Sequence, residues 1–312
     1  MSRSLFAGIA LALAGCTKEA AAVKPAVPSV ELAGEFSGEK AFEHTRRQVE
    51  LGPRPSGTSV LEKARVQIVE TLQAAGWEVE RQAFDDKPVP HEGAIHFTNL
   101  IARFPAGGAG KQRAIVCSHY DTKRMSGVRF VGASDGASST GALLELARVL
   151  AKMPTLAEQV ELVFFDGEEA VDHFDEPIAG PDGLVGSRHY ARTLRESGRA
   201  GQFRFAILWD MIGDADLTIT LPPNTPAELA GKLFSAAEAL GTRKYLSYHV
   251  GDILDDHVPL QTIARIPAID LIDFDYPHWH QPSDTLDKLS PESLRIVGQM
   301  TVRLLQHELA KP

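Results

Sequence analysis

Cysteine, aromatic residues, long apolar runs and excess positive charge are all scarce in this chain, and each shortage removes a class of protein. Among 312 residues there are only two cysteines, Cys16 and Cys117, too few for a disulfide-stapled scaffold. Lys and Arg number 32 against 41 Asp and Glu, a formal charge of −9, so no global electrostatic pull toward nucleic acid or an anionic membrane operates. No period of tens of residues recurs, which excludes solenoids and propellers. The 26 glycines and 19 prolines fall in short clusters between apolar runs and punctuate ordinary secondary structure rather than forming low-complexity tracts. What remains, 44% hydrophobic, 23% charged and 7% aromatic, is the balance of a packed globular protein with room for one large domain.

The first residues stand apart. Arg3 precedes an apolar stretch over residues 5–14, followed by Gly15 and Cys16; a charged head, a short apolar core and a small-residue cleavage site make a secretory signal. The stretch is too short to span a bilayer. Leu13-Ala-Gly-Cys16 resembles the lipobox of bacterial lipoproteins, which implies cleavage before Cys16 and a lipid on its thiol. Residues 1–15 are therefore expected to be a signal peptide, 16–36 a flexible tether, and 37–312 a single catalytic domain. With Cys16 lipidated, Cys117 has no partner and reads as a buried core thiol. The expected location is periplasmic or otherwise extracytoplasmic, with a bacterial membrane reached only through the lipid.

Helical signals cover residues 38–51, 56–75, 138–152, 184–196 and 227–240. A last helix is expected after Pro291, where Leu294, Val297, Met300 and Leu304 repeat at helical spacing. Strand signals cover residues 77–84, 94–104, 114–118, 160–165, 203–209 and 268–272, several of them continuous apolar runs of the kind buried on both faces. Such alternation predicts an α/β three-layer sandwich, a central mixed, mostly parallel sheet with helices on both faces.

Ligands of open α/β sheets bind where the strands end, and there the polar residues gather. His119 and Asp121 follow the third strand run, Asp166, Gly167, Glu168 and Glu169 the fourth, Asp210 the fifth, and His280 the loop beyond the last. Asp135 lies in a Gly-rich turn, residues 132–136, before a helix. Imidazoles and carboxylates meeting in one crevice suit zinc, whose catalytic sites combine His nitrogen with Asp or Glu oxygen and keep a position open. The adjacent Glu168 and Glu169 would repel each other unless their work is divided, one on the metal and the other as general base.

These residues also carry a family resemblance. The segments Ser118-His-Tyr-Asp121, Gly132-Ala-Ser-Asp135, Phe165-Asp-Gly-Glu-Glu169, Trp209-Asp-Met-Ile-Gly213, Asp255-Asp-His-Val-Pro259 and His280-Gln-Pro-Ser-Asp-Thr-Leu-Asp287 resemble the zinc aminopeptidase clan that includes the M28 peptidases and the animal-type glutaminyl cyclases. They run in unbroken order from about Gly52-Pro-Arg54 to the last helix. The resemblance implies a catalytic zinc on Asp135, Glu169 and His280, with Glu168 as proton shuttle. His119 and Asp210 would bind a second zinc in an aminopeptidase, so one zinc is expected for a cyclase and two for a peptidase.

Within the clan the chain is more similar to the cyclases. An insertion over residues 171–182 follows the Glu pair, Asp255 stands where the peptidases have Ser, and Trp279 directly precedes His280, where the cyclases use it to line the substrate pocket. Asp255 would form a carboxylate pair with Asp210 beside Glu168. Phe174 replaces the Trp that the animal enzymes carry in the insertion, and their disulfide near the zinc-site helix is missing. The acidic residues of the insertion, Asp172, Asp175, Glu176 and Asp182, are expected to be solvated.

The expected reaction is conversion of an N-terminal glutamine of a peptide or protein to pyroglutamate with release of ammonia. Glu168 moves the proton, Asp210 and Asp255 orient it, and Trp279 and Phe174 enclose the side chain, in a monomer that binds no nucleic acid. The alternative is an M28-type metalloaminopeptidase. A non-catalytic binding module would have lost a ligand or the base, and none is lost. A serine triad fails because Ser118 and His119 are neighbours on a strand and no Gly-x-Ser-x-Gly elbow occurs.

Overall fold

Continuous apolar runs end up in the middle of the sheet and the charged one at its edge, as burial on two faces or on one requires. In the computed structural model, which describes residues 31–90, 92–105, 113–172 and 182–310, the strands are β1 (Glu78–Asp86), β2 (Ile95–Arg103), β3 (Ala114–His119), β4 (Val160–Phe165), β5 (Phe205–Asp210), β6 (Ile219–Leu221), β7 (Leu246–Tyr248) and β8 (Ala268–Ile272). They form one mixed sheet in the order β1-β2-β4-β3-β5-β8-β6-β7. At its centre β4, β3, β5 and β8 run parallel, and β2 and β6 flank them antiparallel. Every residue of those four central strands is buried.

The helices are α1 (Gly38–Glu50), α2 (Ser59–Ala74), α3 (Ser139–Leu150), α4 (Pro154–Ala157), α5 (Val185–Glu196), α6 (Ala227–Ala239), α7 (His257–Thr262) and α8 (Pro291–Leu309). Side-chain oxygens of Ser37, Thr58 and Ser290 cap α1, α2 and α8, with Pro291 in the first turn of α8. The two faces of the sheet are covered unequally. Val116, Leu162, Ile207 and Leu271 pack in one large core with residues of α1, α2, α3, α6 and α8. The alternate residues Cys117, Val163, Leu208 and Ala268 meet Tyr190 and Leu194 of α5 and Leu260 of α7 in a smaller one. The expected three-layer sandwich is the fold, and Cys117 is the buried free thiol it was expected to be.

Of the tether expected over residues 16–36, the last residues belong to the fold instead. Leu32–Glu35 forms a 3-10 turn, and Leu32, Ala33 and Phe36 are buried in the larger core. Phe36 fits because Gly298 of α8 has no side chain; a Cβ there would lie 2.2 Å from the Phe36 ring. Strands β6 and β7 and helix α7 were not foreseen, since elements this short carry no readable period. Residues 1–30, with Cys16, and Phe174 lie outside the described residues. No helix of the described residues is long and apolar enough to cross a membrane.

Candidate active site

The parallel strands deliver their polar residues to one edge. His119 closes β3 and Asp210 closes β5, while Glu168 and Glu169 follow β4 by way of Gly167. Asp135 comes from the irregular turn Ala133–Ser138 that leads into α3. Two glycines permit that turn. Gly132 and Gly136 have φ of 51° and 84°, and a Cβ would sit 2.3 Å from the Asp135 carbonyl oxygen in the first case and 2.6 Å from that of Asp121 in the second. Among the described residues, the only non-glycines with positive φ are Leu184, Met211, Arg265 and His280. Met211 and His280 both line the same cleft, so backbone strain concentrates where chemistry is expected.

Asp135 stands at the centre of the cluster. Its Oδ1 lies 3.3 Å from His119 Nε2 and its Oδ2 lies 3.5 Å from His280 Nε2. His280 Nε2 is 3.2 Å from Glu169 Oε1, and His119 Nε2 is 3.1 Å from Asp210 Oδ1. Two groups therefore share Asp135: with Glu169 and His280, and with His119 and Asp210, the donor atoms of each lying within 4.8 Å of one another. Asp121 supports both sides, its Oδ1 lying 3.5 Å from His119 Nδ1 and accepting the Glu168 amide at 3.3 Å. A third group, Asp255, His257 and Asp270, lies behind them, fully buried.

So many acids in so little water cannot all ionise. Burial, then the Glu169 charge, pushes the Glu168 carboxyl well above its usual range. Burial and Asp135 push Glu169 up to about 7. Burial, with Asp270 next, holds Asp255 well above the carboxylate range. Burial alone would lower His119, but Asp210 and its neighbours outweigh it and raise the imidazole well above its usual range. Crowded carboxylates of this kind are relieved by protons or by a bound cation. A cation fits the donors present. Asp135 Oδ2 and Glu169 Oε2 are buried without a hydrogen-bond partner among the described residues, and one imidazole with two carboxylates is a zinc-type donor set.

Glu168, Asp210 and Asp255 face a cleft that also reaches Asp135, Glu169 and His280. Trp279 is 43% exposed at its mouth, its ring stacked on that of His280 with centroids 4.5 Å apart and tilted against that of Phe274 at 5.4 Å. The structure thus brings together Asp135, Glu168, Glu169, His119, Asp210, Asp255, Trp279 and His280, all singled out from sequence.

It corrects the reading of the insertion. Asp182, expected to be solvated, is buried and accepts the amides of Val171, Asp172 and Gly183 at 2.7, 2.8 and 3.0 Å. Backbone leaving the Glu pair needs acceptors, and a buried carboxylate supplies them; the Asp182-Gly183 turn pair is the signal that could have shown it. Phe274 and Asp284 were given no role by sequence. Nothing distinguishes Phe274 among its acidic neighbours, whereas Asp284 stands inside the His280 motif.

Known proteins resemble this chain in sequence and fold. The profile of peptidase family M28 matches residues 99–305. A glutaminyl-peptide cyclotransferase of Drosophila melanogaster is 30% identical over 295 residues, 84% of this chain and 80% of that protein. The crystal structure of an Acidobacteriales bacterium glutaminyl cyclase aligns with a TM-score of 0.78 at 30% identity, over 95% of this chain and 100% of that one. A leucine aminopeptidase precursor from Bacteroides thetaiotaomicron aligns with a TM-score of 0.77 at 26% identity, over 88% of this chain and 98% of that one. On the family profile and on these relatives, the chain belongs to the zinc-dependent peptidase family M28, among the homologues of glutaminyl-peptide cyclotransferases.

Proposed function

We propose that this chain is a zinc-dependent glutaminyl-peptide cyclotransferase that converts the N-terminal glutamine of a peptide or protein to pyroglutamate and ammonia. The observation that carries the reading is Asp255, buried and facing the same cleft as Glu168 and Asp210, at the position where the resemblance gives the peptidases Ser. Burial raises all three carboxyls, and a carboxylate whose proton affinity is raised is the better base for a reaction that passes one proton from an amine to a leaving nitrogen.

A single zinc on Asp135, Glu169 and His280 would polarise the side-chain amide of the substrate. Glu168 accepts a proton from the α-amine as that nitrogen attacks the side-chain carbonyl carbon. The new C–N bond closes the ring, the bond to the amide nitrogen breaks, and Glu168 returns the proton to the departing ammonia. Asp210 and Asp255 orient Glu168 and the leaving nitrogen. Because nucleophile and electrophile belong to one residue, the protein mainly has to hold that side chain folded back. The small cleft lined by these residues supports that task. Trp279 and Phe274 wall it, and Phe174 is proposed as a further wall.

Export and a lipid on Cys16 of a monomeric enzyme complete the proposal, supported by Arg3, the apolar residues 5–14 and Leu13-Ala-Gly-Cys16. A second reading, metalloaminopeptidase, draws on the donors of His119, Asp135 and Asp210 for a second ion and on the aminopeptidase precursor of like fold. Incubation of the zinc-loaded protein with a Gln-initiated and a Leu-initiated peptide separates the two. Ammonia from the first with the second intact supports the cyclase. Free leucine without ammonia assigns the peptidase.

A further inference from the structure

Asp284 belongs to none of the groups that could hold a metal, yet it is wholly buried in the β8–α8 loop that carries His280. Its Oδ1 accepts the Ser134 amide at 2.8 Å and the Tyr276 hydroxyl at 2.7 Å, and its Oδ2 accepts the Asp135 amide at 3.1 Å. One carboxylate thus joins two segments far apart in the chain, the turn that presents Asp135 and the loop that presents His280. The same turn is gripped from its other end by Arg54, also wholly buried, whose guanidinium donates to the carbonyls of Val131 and Gly132 at 2.9 and 3.3 Å. A cation fixes the carbonyls ahead of Asp135 and an anion fixes the amides at it.

The loop side is equally constrained. His280 has φ of 51°, a conformation that a non-glycine keeps only when its surroundings over-determine it. Backbone bonds from Gln281 to His278 and from Asp284 to Gln281, both 3.0 Å, make a short continuous path from His280 to Asp284. Anchoring the carboxylate therefore anchors the strained backbone of the histidine.

We infer that Asp284 is a positioning residue of the metal centre, tying Asp135 and His280 into register before an ion arrives, with Arg54 as its counterpart across the turn. The inference rests on the metal assignment proposed above. It goes beyond that assignment in making ligand geometry depend on a residue that touches neither metal nor substrate.

The test is zinc affinity, measured by competition with a chromophoric chelator, for the wild-type protein, H280A, D284N and Y276F, with thermal unfolding of metal-free and zinc-loaded forms alongside. D284N keeps the size of the side chain but sets an amino group against one backbone N–H, donor facing donor. Wild type should bind zinc and H280A should lose it. D284N should weaken binding about 10- to 100-fold, as loss of a group that orients ligands does, and narrow the gap in Tm between loaded and metal-free forms. Wild-type affinity in D284N, with equal loss of Tm in both forms, overturns the inference and leaves Asp284 as packing. If D284N does not fold, Y276F replaces it, since the ring stays and only the hydroxyl on Oδ1 goes. An affinity loss of about tenfold, the lower end of the same range, supports the inference, and an unchanged affinity overturns it. Wild-type protein that takes no zinc sinks the metal assignment itself, a failure distinct from either.

Discussion

Among the described residues, three groups combine two carboxylates with one imidazole whose donor atoms lie within 4.8 Å of one another, and two that share no residue stand in contrast: Asp135, Glu169 and His280 at the cleft, and Asp255, His257 and Asp270 behind it. They differ in access. The His280 side chain keeps 22% of its surface and stacks on Trp279 at the rim, whereas His257 and Asp270 are 0% exposed. His257 Nε2 faces the Asn224 amide nitrogen at 3.3 Å, and its Nδ1 lies 3.4 Å from Asp270 Oδ2. An ion or a substrate can reach the first group, while His257 and Asp270 of the second are closed off from the cleft and can only share protons with their neighbours. Donor chemistry alone therefore does not define a reaction site. The sealed group still matters to the open one through Asp255, which faces the cleft and whose carboxyl is raised by burial and then by Asp270.

Metal removal is the strongest way to break this comparison. Chelation should abolish turnover and added zinc restore it, with one zinc per chain by elemental analysis. Two per chain would mean that His119 and Asp210 hold an ion as well, as the aminopeptidase reading requires. If a variant with both His119 and His280 replaced by Ala still retained one zinc, the sealed group would be taking up metal and the distinction by access would fall. Next in size is Glu168→Gln, expected to lower kcat about 10²- to 10⁴-fold, the contribution of a positioned general base, while zinc content stays at the wild-type level. Loss of zinc from this variant would make Glu168 a ligand instead. Asp255→Ser should slow cyclisation about 10- to 100-fold, the range for groups that orient others. An undiminished rate would remove Asp255 from the mechanism and confine the sealed group to structure.

The strands that present the site are legible because each is an apolar run ended by polar residues. The expected spans 160–165 and 268–272 coincide with β4 and β8, and the ligand types follow from what stands at the strand ends. Asp284 is not legible in the same way. Several polar residues follow His280, and which one turns inward depends on the approach of a turn well over a hundred residues earlier. Leu32, Ala33 and Phe36 read as tether because so short an apolar cluster has no period. Their burial depends on the gap left by Gly298, a tertiary fact. Asp182 reads as solvated for a related reason, since its three amide donors become visible only once the insertion folds back on the Glu pair.

The finest test sets Asp256, beside the sealed group, against Asp135 at the cleft. Asp256 is wholly buried, and burial pushes it up to about 7 against the opposing hydrogen bond of Ser187. An acid whose folded pKa lies above its unfolded value of about 3.9 binds more protons folded than unfolded. Its stabilising contribution is complete below about pH 4 and is lost as the pH rises to about 7. D256N cannot ionise and escapes that loss, so its Tm relative to wild type should climb across this window, by no more than the equivalent of about 1.4 kcal/mol per pH unit. At Asp135 burial also acts upward, but the hydrogen bond and charge of His119 outweigh it and hold the carboxyl below its usual range. Its contribution is present above the unfolded pKa and lost as the pH falls, so in metal-free protein D135N should lose Tm relative to wild type as the pH rises to about 4, with no further change above that. Opposite slopes in the two variants, read by thermal unfolding across pH, would establish that like residues are set to opposite tasks by burial and partners. Parallel slopes would place both in one environment and end the distinction.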